Sequence, residues 1–199
     1  MIRQFRLARP LAALAMLLAA GALGAAGTAV PTYALDAAKS TFEFGFVQAG
    51  AQNKGRFPKF AVKFSFADDS LAASHLEVTV DVAALNTDDQ ERDDTLREED
   101  LFDVAKFPQA RFTATQITKT AAGAYAASGS LLLRGVTRAL SIPFTLKSAT
   151  EQGRQVLYMA GKTVIRRLDF GVGQGDWKST EWVGNEVTVT FNLRLIPAT

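Results

Sequence analysis

The sequence predicts an all-β fold, an antiparallel barrel or sandwich of about eight strands with one short helix among them. Two observations carry this. Short segments along most of the chain alternate apolar and polar residues with the period of two that strands impose, and Gly, Asn and Asp turns separate them. A single stretch, DDQERDDTLREEDLFD from Asp88 to Asp103, breaks the alternation with nine acids in sixteen residues.

The chain opens with MIRQFRLARP, which carries Arg3, Arg6 and Arg9 and no acid, and continues into apolar LAALAMLLAAGALGAAGTA. A charged start, an apolar run and a small-x-small ending make a secretory signal peptide. We assign it to residues 1–29, with processing after Ala29 and with Ala26 and Ala34 as competing sites. An uncleaved N-terminal anchor is the alternative. The expected domain is 30–199, long enough for one proper core.

Its strands follow in order. STFEFGFVQ puts Phe42, Phe44 and Phe46 on one face, with Gln48 in the same phase at the strand's end. Gly50 to Gly55 reads as a polar turn. FPKFAVKFSF keeps Phe60, Val62, Phe64 and Phe66 in phase, and Pro58 marks its start or a bulge. HLEVTVDV turns Leu76, Val78, Val80 and Val82 inward and His75 outward. After the acidic stretch come ARFTATQI, AYAASGSLLLRG, ALSIPFTLKS, QVLYMAGKTVIRRLDF and EVTVTFNLRL, the last with Val187, Val189, Phe191, Leu193 and Leu195 on one face.

Composition removes several function classes. Of 22 Lys and Arg, three belong to the signal segment, leaving 19 against 20 Asp and Glu. The remainder is close to neutral and gives no case for nucleic acid. There is no cysteine and one histidine, so a nitrogen and sulfur metal site has almost no ligands to draw on. A Ser-His-Asp system would need His75, which parity turns to solvent. No apolar run in the domain approaches the ~20 residues of a membrane span. With the signal segment, these features point to a periplasmic protein, with secretion as the alternative. GVGQG at Gly171–Gly175 lacks phosphate-loop spacing and reads as a loop over a barrel end. Trp177 and Trp182 in that loop either cap the core or flank a cavity mouth. Fourteen Phe make the interior bulky and apolar, suited to a hydrocarbon.

So dense an acidic stretch is a calcium loop, a catalytic carboxylate cluster, a disordered tail or a solvated helix. From Asp88 or Asp89 there is no Gly at the sixth place of an EF-hand pattern. Catalytic carboxylates would have to line a groove. A helix of about three turns explains more. Thr87 and Gln90 have capping-box spacing, and Asp88 and Asp89 fall in the first turn. Asp88–Arg92 and Asp93–Arg97 are i, i+4 pairs, and Leu96 and the arginines fasten a mostly solvated helix to the barrel.

ERDDTLREEDLFDVAKFPQARF, through Arg92, Asp93, Leu96, Arg97, Asp100, Leu101, Phe102, Lys106, Phe107, Pro108 and Phe112, resembles the YceI-like family of periplasmic lipid-binding proteins. Gly55-Arg56-Phe57, Gly129 through Thr137, Asp169-Phe170-Gly171 and Gly184 through Val187 extend the resemblance over Tyr33 to Leu195. It implies an eight-stranded antiparallel lipocalin-like barrel holding a long isoprenoid-type lipid, an isoprenoid quinone or a polyprenyl phosphate, with no cofactor. D-F-G-x-G-x-G-x-W also looks like domains linked with membrane b-type cytochromes, which implies a quinone-like ligand and a membrane-protein partner. Where many members carry His, this chain has Lys39, Gln48 and Thr95, and an amide at Gln48 can hydrogen-bond a head group but cannot titrate near neutrality.

The expected function is non-enzymatic carriage or sensing of such a lipid by a monomer or homodimer. Phe42, Phe44, Phe46, Phe60, Phe64 and Phe144 are the expected tail contacts, Gln48 the head contact, and Trp177 or Trp182 the mouth. The rivals are an enzyme that uses acids of the 88–103 segment on the lipid, and a stress-response partner of a membrane cytochrome.

Overall fold

The computed structural model describes residues 29–198. The expected signal segment therefore lies outside the described residues apart from Ala29, whereas Ala34 is paired within the fold, opposite Ile196. Among the described residues ten strand segments form: β1 (Thr32–Leu35), β2 (Thr41–Gln48), β3 (Ala51–Arg56), β4 (Phe60–Ser65), β5 (His75–Asp81), β6 (Gln109–Ala121), β7 (Ala124–Leu133), β8 (Val136–Glu151), β9 (Arg154–Arg166) and β10 (Glu186–Pro197). An α-helix, α1 (Gln90–Arg97), stands between β5 and β6.

These ten segments build a closed antiparallel barrel of eight staves. β1 and β2 run one after the other along β10, pairing Leu35 with Leu195 and Phe44 with Val189. β3 and β4 make the next stave in the same way, β3 against β2 and β4 against β1. From β4 each strand pairs with its successor through β10, and the β1–β10 pairing closes the ring. The first stave breaks at a 3-10 turn, Ala37–Lys39, stitched to its neighbour by the Arg194 amide donating to Ser40 Oγ at 3.0 Å. The second breaks at Pro58, which cannot donate to the ladder.

Two expectations fail here. Gly50 to Gly55 is not a turn: only Ala49 and Gly50 turn the chain, and residues 51–56 are β3. Thr32–Leu35 pairs on both edges although its four residues gave no alternation to read. β3 lacks apolar alternation because Gly55 sits on its inward face under the Phe44 ring. A Cβ there would stand 2.3 Å from that ring.

Alternation elsewhere translates into burial as expected. Phe44 and Phe46, Leu76 and Val80, Phe144 and Leu146, and Val189, Phe191, Leu193 and Leu195 are buried, while His75 is exposed. Antiparallel order puts α1, the 98–108 segment, the 167–185 loop and the β2–β3 turn at one end of the barrel. The 66–74 segment and the β6–β7 and β8–β9 turns lie at the other.

The helix differs from its expected form. It has eight residues, and its N-cap is Asp89, whose Oδ1 accepts the Arg92 amide at 3.1 Å. Asp88 lies outside it at φ 60 and pairs with Arg56 through two 2.7 Å hydrogen bonds. The ion pairs within the helix are Asp89–Arg92 and Asp94–Arg97, at i, i+3. Thr87 and Asp93 are buried together, with Asp93 Oδ1 accepting the Thr87 amide at 2.8 Å and its hydroxyl at 2.6 Å. Starting the helix two residues later than the capping-box reading changes every side-chain partner, because neighbours on a helix are fixed by spacing.

Candidate functional site

The barrel interior is divided along its length. The end near the 66–74 segment is filled, with Val62, Phe64, Tyr125, Leu157 and Leu195 all buried. Above it lies a cavity of about 540 Å³. Phe42, Phe44 and Phe46 of β2 line it, with Val78 and Val80 of β5, Ile142 and Phe144 of β8, and Phe191 and Leu193 of β10. Its polar lining is Gln48, Asp89, Glu91, Arg92, Thr95, Arg111, Thr163 and Arg167. All except Thr163 belong to the helix end of the barrel. The cavity thus has an apolar depth and one polar rim.

Of the residues expected to meet a ligand, the structure brings Phe42, Phe44, Phe46, Gln48, Phe144 and Trp177 together around this cavity. Three fall elsewhere. Phe64 is inward but below the cavity, packed 5.5 Å from Phe66 and 6.0 Å from Tyr33. Phe60 stands behind Phe42 with ring centroids 5.4 Å apart. Trp182 is 66 % exposed, so it neither caps the core nor lines the cavity. The expectation for Trp177 and Trp182 therefore divides: the first lines the cavity and the second faces solvent.

The rim is built by two opposed segments. On one side α1 presents Arg92, Thr95 and Leu96 to the cavity, so it is less solvated than its composition suggests. It is held there by Arg97, whose Nε donates to Ala83 O at 2.9 Å and whose Nη2 donates to Leu85 O at 2.8 Å. Of the nine acids in the stretch, Asp89 and Glu91 reach the lining. Both Asp89 oxygens are occupied by Arg92, one by its amide and one by Nη2 at 3.1 Å. Gln48 has no side-chain hydrogen-bond partner among the described residues, and its backbone bridges to Val183 across the rim.

The opposite side is organised by Arg167, which sequence reasoning missed. It is 4 % exposed and has no carboxylate partner among the described residues. All five of its N–H groups go to backbone carbonyls: Nε to Gly184, Nη1 to Val172 and Trp177, and Nη2 to Ser179 and Val183, at 2.7–3.2 Å. Burial lowers its pKa from the usual guanidinium value. Gly173 permits this packing. A Cβ there would stand 1.9 Å from Arg167 Nη1, and its φ of +115 suits only glycine. GVGQG was therefore the readable signal, a loop wrapped on an arginine.

Among the described residues, no cluster of three His, Cys, Asp or Glu could hold a metal ion, and no helix is long and apolar enough to cross a membrane.

Known proteins share this architecture. The crystal structure of BcnA from Burkholderia cenocepacia superposes with a TM-score of 0.75 at 30% identity, covering 83% of this chain and 99% of that one. A polyisoprenoid binding domain from Saccharophagus degradans, implicated in plant cell wall breakdown, gives 0.66 at 17% identity over 84% of this chain and 99% of its own. At that identity the likeness concerns the fold. A UPF0312 protein of Vibrio cholerae is 34% identical over 121 residues, 60% of this chain, and the match spans 64% of that relative's length. The model of the YceI-like domain matches residues 33–195, almost the whole of the barrel, and the chain belongs to the YceI-like family.

Proposed function

We propose that the protein binds a long isoprenoid-type lipid without chemically altering it, as a carrier or sensor in the periplasm. The observation that carries this is the polarity gradient of the cavity, apolar from Phe144 up through the valines and, Thr163 apart, polar at the helix-end rim. A hydrocarbon tail gains roughly 0.8 kcal/mol for each methylene removed from water, part of it offset by the cost of association. Gln48, with its free amide, and Arg92 are the groups that meet the head, which fits a quinone carbonyl or a phosphate. A structural neighbour described as a polyisoprenoid binding domain shares the barrel that this reading requires.

Native mass spectrometry after mild purification, followed by extraction and mass analysis of bound lipid, tests the reading. The expected result is an added mass that extracts into organic solvent and carries an isoprenoid fragmentation series. Protein that is ligand-free, and that also takes up no prenol or prenyl quinone offered in vitro, would refute it.

A second reading, an enzyme acting on such a lipid, draws on Asp89 and Glu91 at the rim. Because Asp89 is bound up in the helix cap, the reading rests on Glu91 as its acid or base. Unchanged lipid recovered after long incubation with the wild-type protein removes it.

A further inference from the structure

The cavity ends on a built floor. Phe144 lines its deep end together with Leu76, Met159 and Leu193, and Tyr125, which does not line it, stacks on Phe144 with centroids 5.5 Å apart. Phe66 meets Tyr125 edge-on at 5.1 Å, and Phe64 stacks on Phe66 at 5.5 Å. These rings come from three parts of the chain: β4 with its extension, β7 and β8. They form one aromatic column across the barrel.

The column is fastened from outside. The Tyr125 hydroxyl donates to Asp68 Oδ1 at 2.8 Å, and Asp68 Oδ2 accepts Lys119 Nζ at 2.6 Å. Lys119 Nζ also lies 5.8 Å from the Tyr125 ring centroid. Asp68 belongs to the 66–74 segment that crosses this end of the barrel, where the Phe66 amide donates to Pro31 O and the Ala67 amide to Ser74 Oγ. A buried tyrosine with its hydroxyl tied to a surface carboxylate cannot swing aside without breaking that tie. Higher up, Val78, Val80, Ile142, Ile165 and Val189 leave the space that forms the cavity, while the rings of Phe42, Phe44 and Phe46 stand along its β2 side.

We infer that the Phe144–Tyr125–Phe66 column, latched by Asp68, is a gauge that sets how long a hydrocarbon chain the barrel accepts. The inference rests on the lipid-binding reading. A chain entering from the polar rim gains burial with each added unit until its end meets Phe144. Further units must remain outside and add nothing. Tyr125 and Phe66 thereby become determinants of chain-length specificity although neither lines the cavity.

The test is a titration of the protein with a prenol ladder from farnesol to solanesol, read by the fluorescence of Trp177 in the cavity wall. In the wild type, affinity rises with length to a limit and then levels off. Tyr125→Ala opens space behind Phe144 and moves the limit up by about one isoprene unit. Phe66→Ala moves it in the same direction, and Tyr125→Phe, which keeps the ring but frees it from Asp68, moves it less far than Tyr125→Ala. Tyr125→Leu serves as the readable variant if the alanine form does not fold, and it too moves the limit upward. A limit unmoved in folded Tyr125→Leu and Phe66→Ala overturns the gauge while leaving lipid binding intact. If the wild type binds no prenol of any length, the lipid reading itself falls.

Discussion

Arg167→Met separates the rim loop from the barrel beneath it. Methionine fills much of the arginine's volume and supplies none of its five donors. One of the five carbonyls, that of Val172, is buried, and the other four hydrogen bonds are partly buried. Losing the four costs about 1 kcal/mol each, and stranding the buried carbonyl costs about 2 kcal/mol more. Against this, the variant no longer desolvates a guanidinium that has no carboxylate beside it, which returns about 2 kcal/mol. The net destabilisation is about 4 kcal/mol, concentrated in residues 172–184. Urea unfolding reads the total as a lower midpoint with little change in slope. Amide exchange reads the location. The Gly173 and Gln174 amides, which donate to Asp100 O at 3.0 and 2.7 Å, lose protection, while strand amides of β6 and β7 keep theirs. Gly173→Ala must reproduce the pattern, because its Cβ occupies the place of Nη1. A loss below about 1 kcal/mol with Gly173 and Gln174 still protected would falsify the view that Arg167 holds this loop.

Three other outcomes follow from the geometry. Asp93→Ala strands the buried Thr87 amide and hydroxyl and lowers stability by roughly 2–3 kcal/mol in urea unfolding; a change under about 0.5 kcal/mol would mean the pair does not anchor α1. Ile142→Trp projects an indole ring into the 540 Å³ cavity and cuts prenol affinity by at least about tenfold, with stability within about 1 kcal/mol of wild type. Undiminished binding there would place the ligand elsewhere. Burial, with Asp68 beside the ring, pushes the Tyr125 pKa up to about 12, so the folded state keeps a proton that the unfolded chain releases near 10. Its contribution is complete below pH 10 and disappears as pH rises toward 12. Thermal melts over that window should show an alkaline loss in the wild type that Tyr125→Phe lacks.

The strands that were legible are those whose inward residues carry side chains. Alternation in β2, β4, β5, β8 and β10 marks faces that the barrel does bury. β3 escaped because Gly55 stands where an apolar side chain would have signalled the pattern, and the ring above it is supplied by Phe44 on the neighbouring strand. β1 escaped because four residues are too few for a periodic signal, and its partners in β4 and β10 are distant in sequence. The acidic stretch was legible as a helix, but its partners were not. Asp88 takes φ 60 and leaves the helix, so the i, i+4 pairs expected from it could not form. Arg167 was hidden for a different reason. A buried arginine bound only to carbonyls has no acidic partner whose spacing could announce it, and only the glycines that wrap it are visible.

The site was legible in direction but not in height. Parity tells whether a residue faces the barrel axis, and Phe42, Phe44, Phe46, Phe64 and Phe144 all do. It cannot tell which layer along the axis a residue joins, and that decides whether it lines a hollow or fills a floor. Phe64 and Phe144 are both inward, yet only Phe144 borders open space. The missing information lay in side-chain size. Along β8 the inward residues run Leu140, Ile142, Phe144, and along β10 they run Val187, Val189, Phe191, two aliphatic side chains and then a ring in each. Side chains of medium size facing one another across an eight-stranded barrel cannot meet at its axis, whereas aromatic rings can. A hollow above an aromatic floor is what that gradient produces. It follows that enlarging the middle layer closes the site and trimming the floor lengthens it, so Ile142→Trp and Tyr125→Ala change one volume in opposite senses.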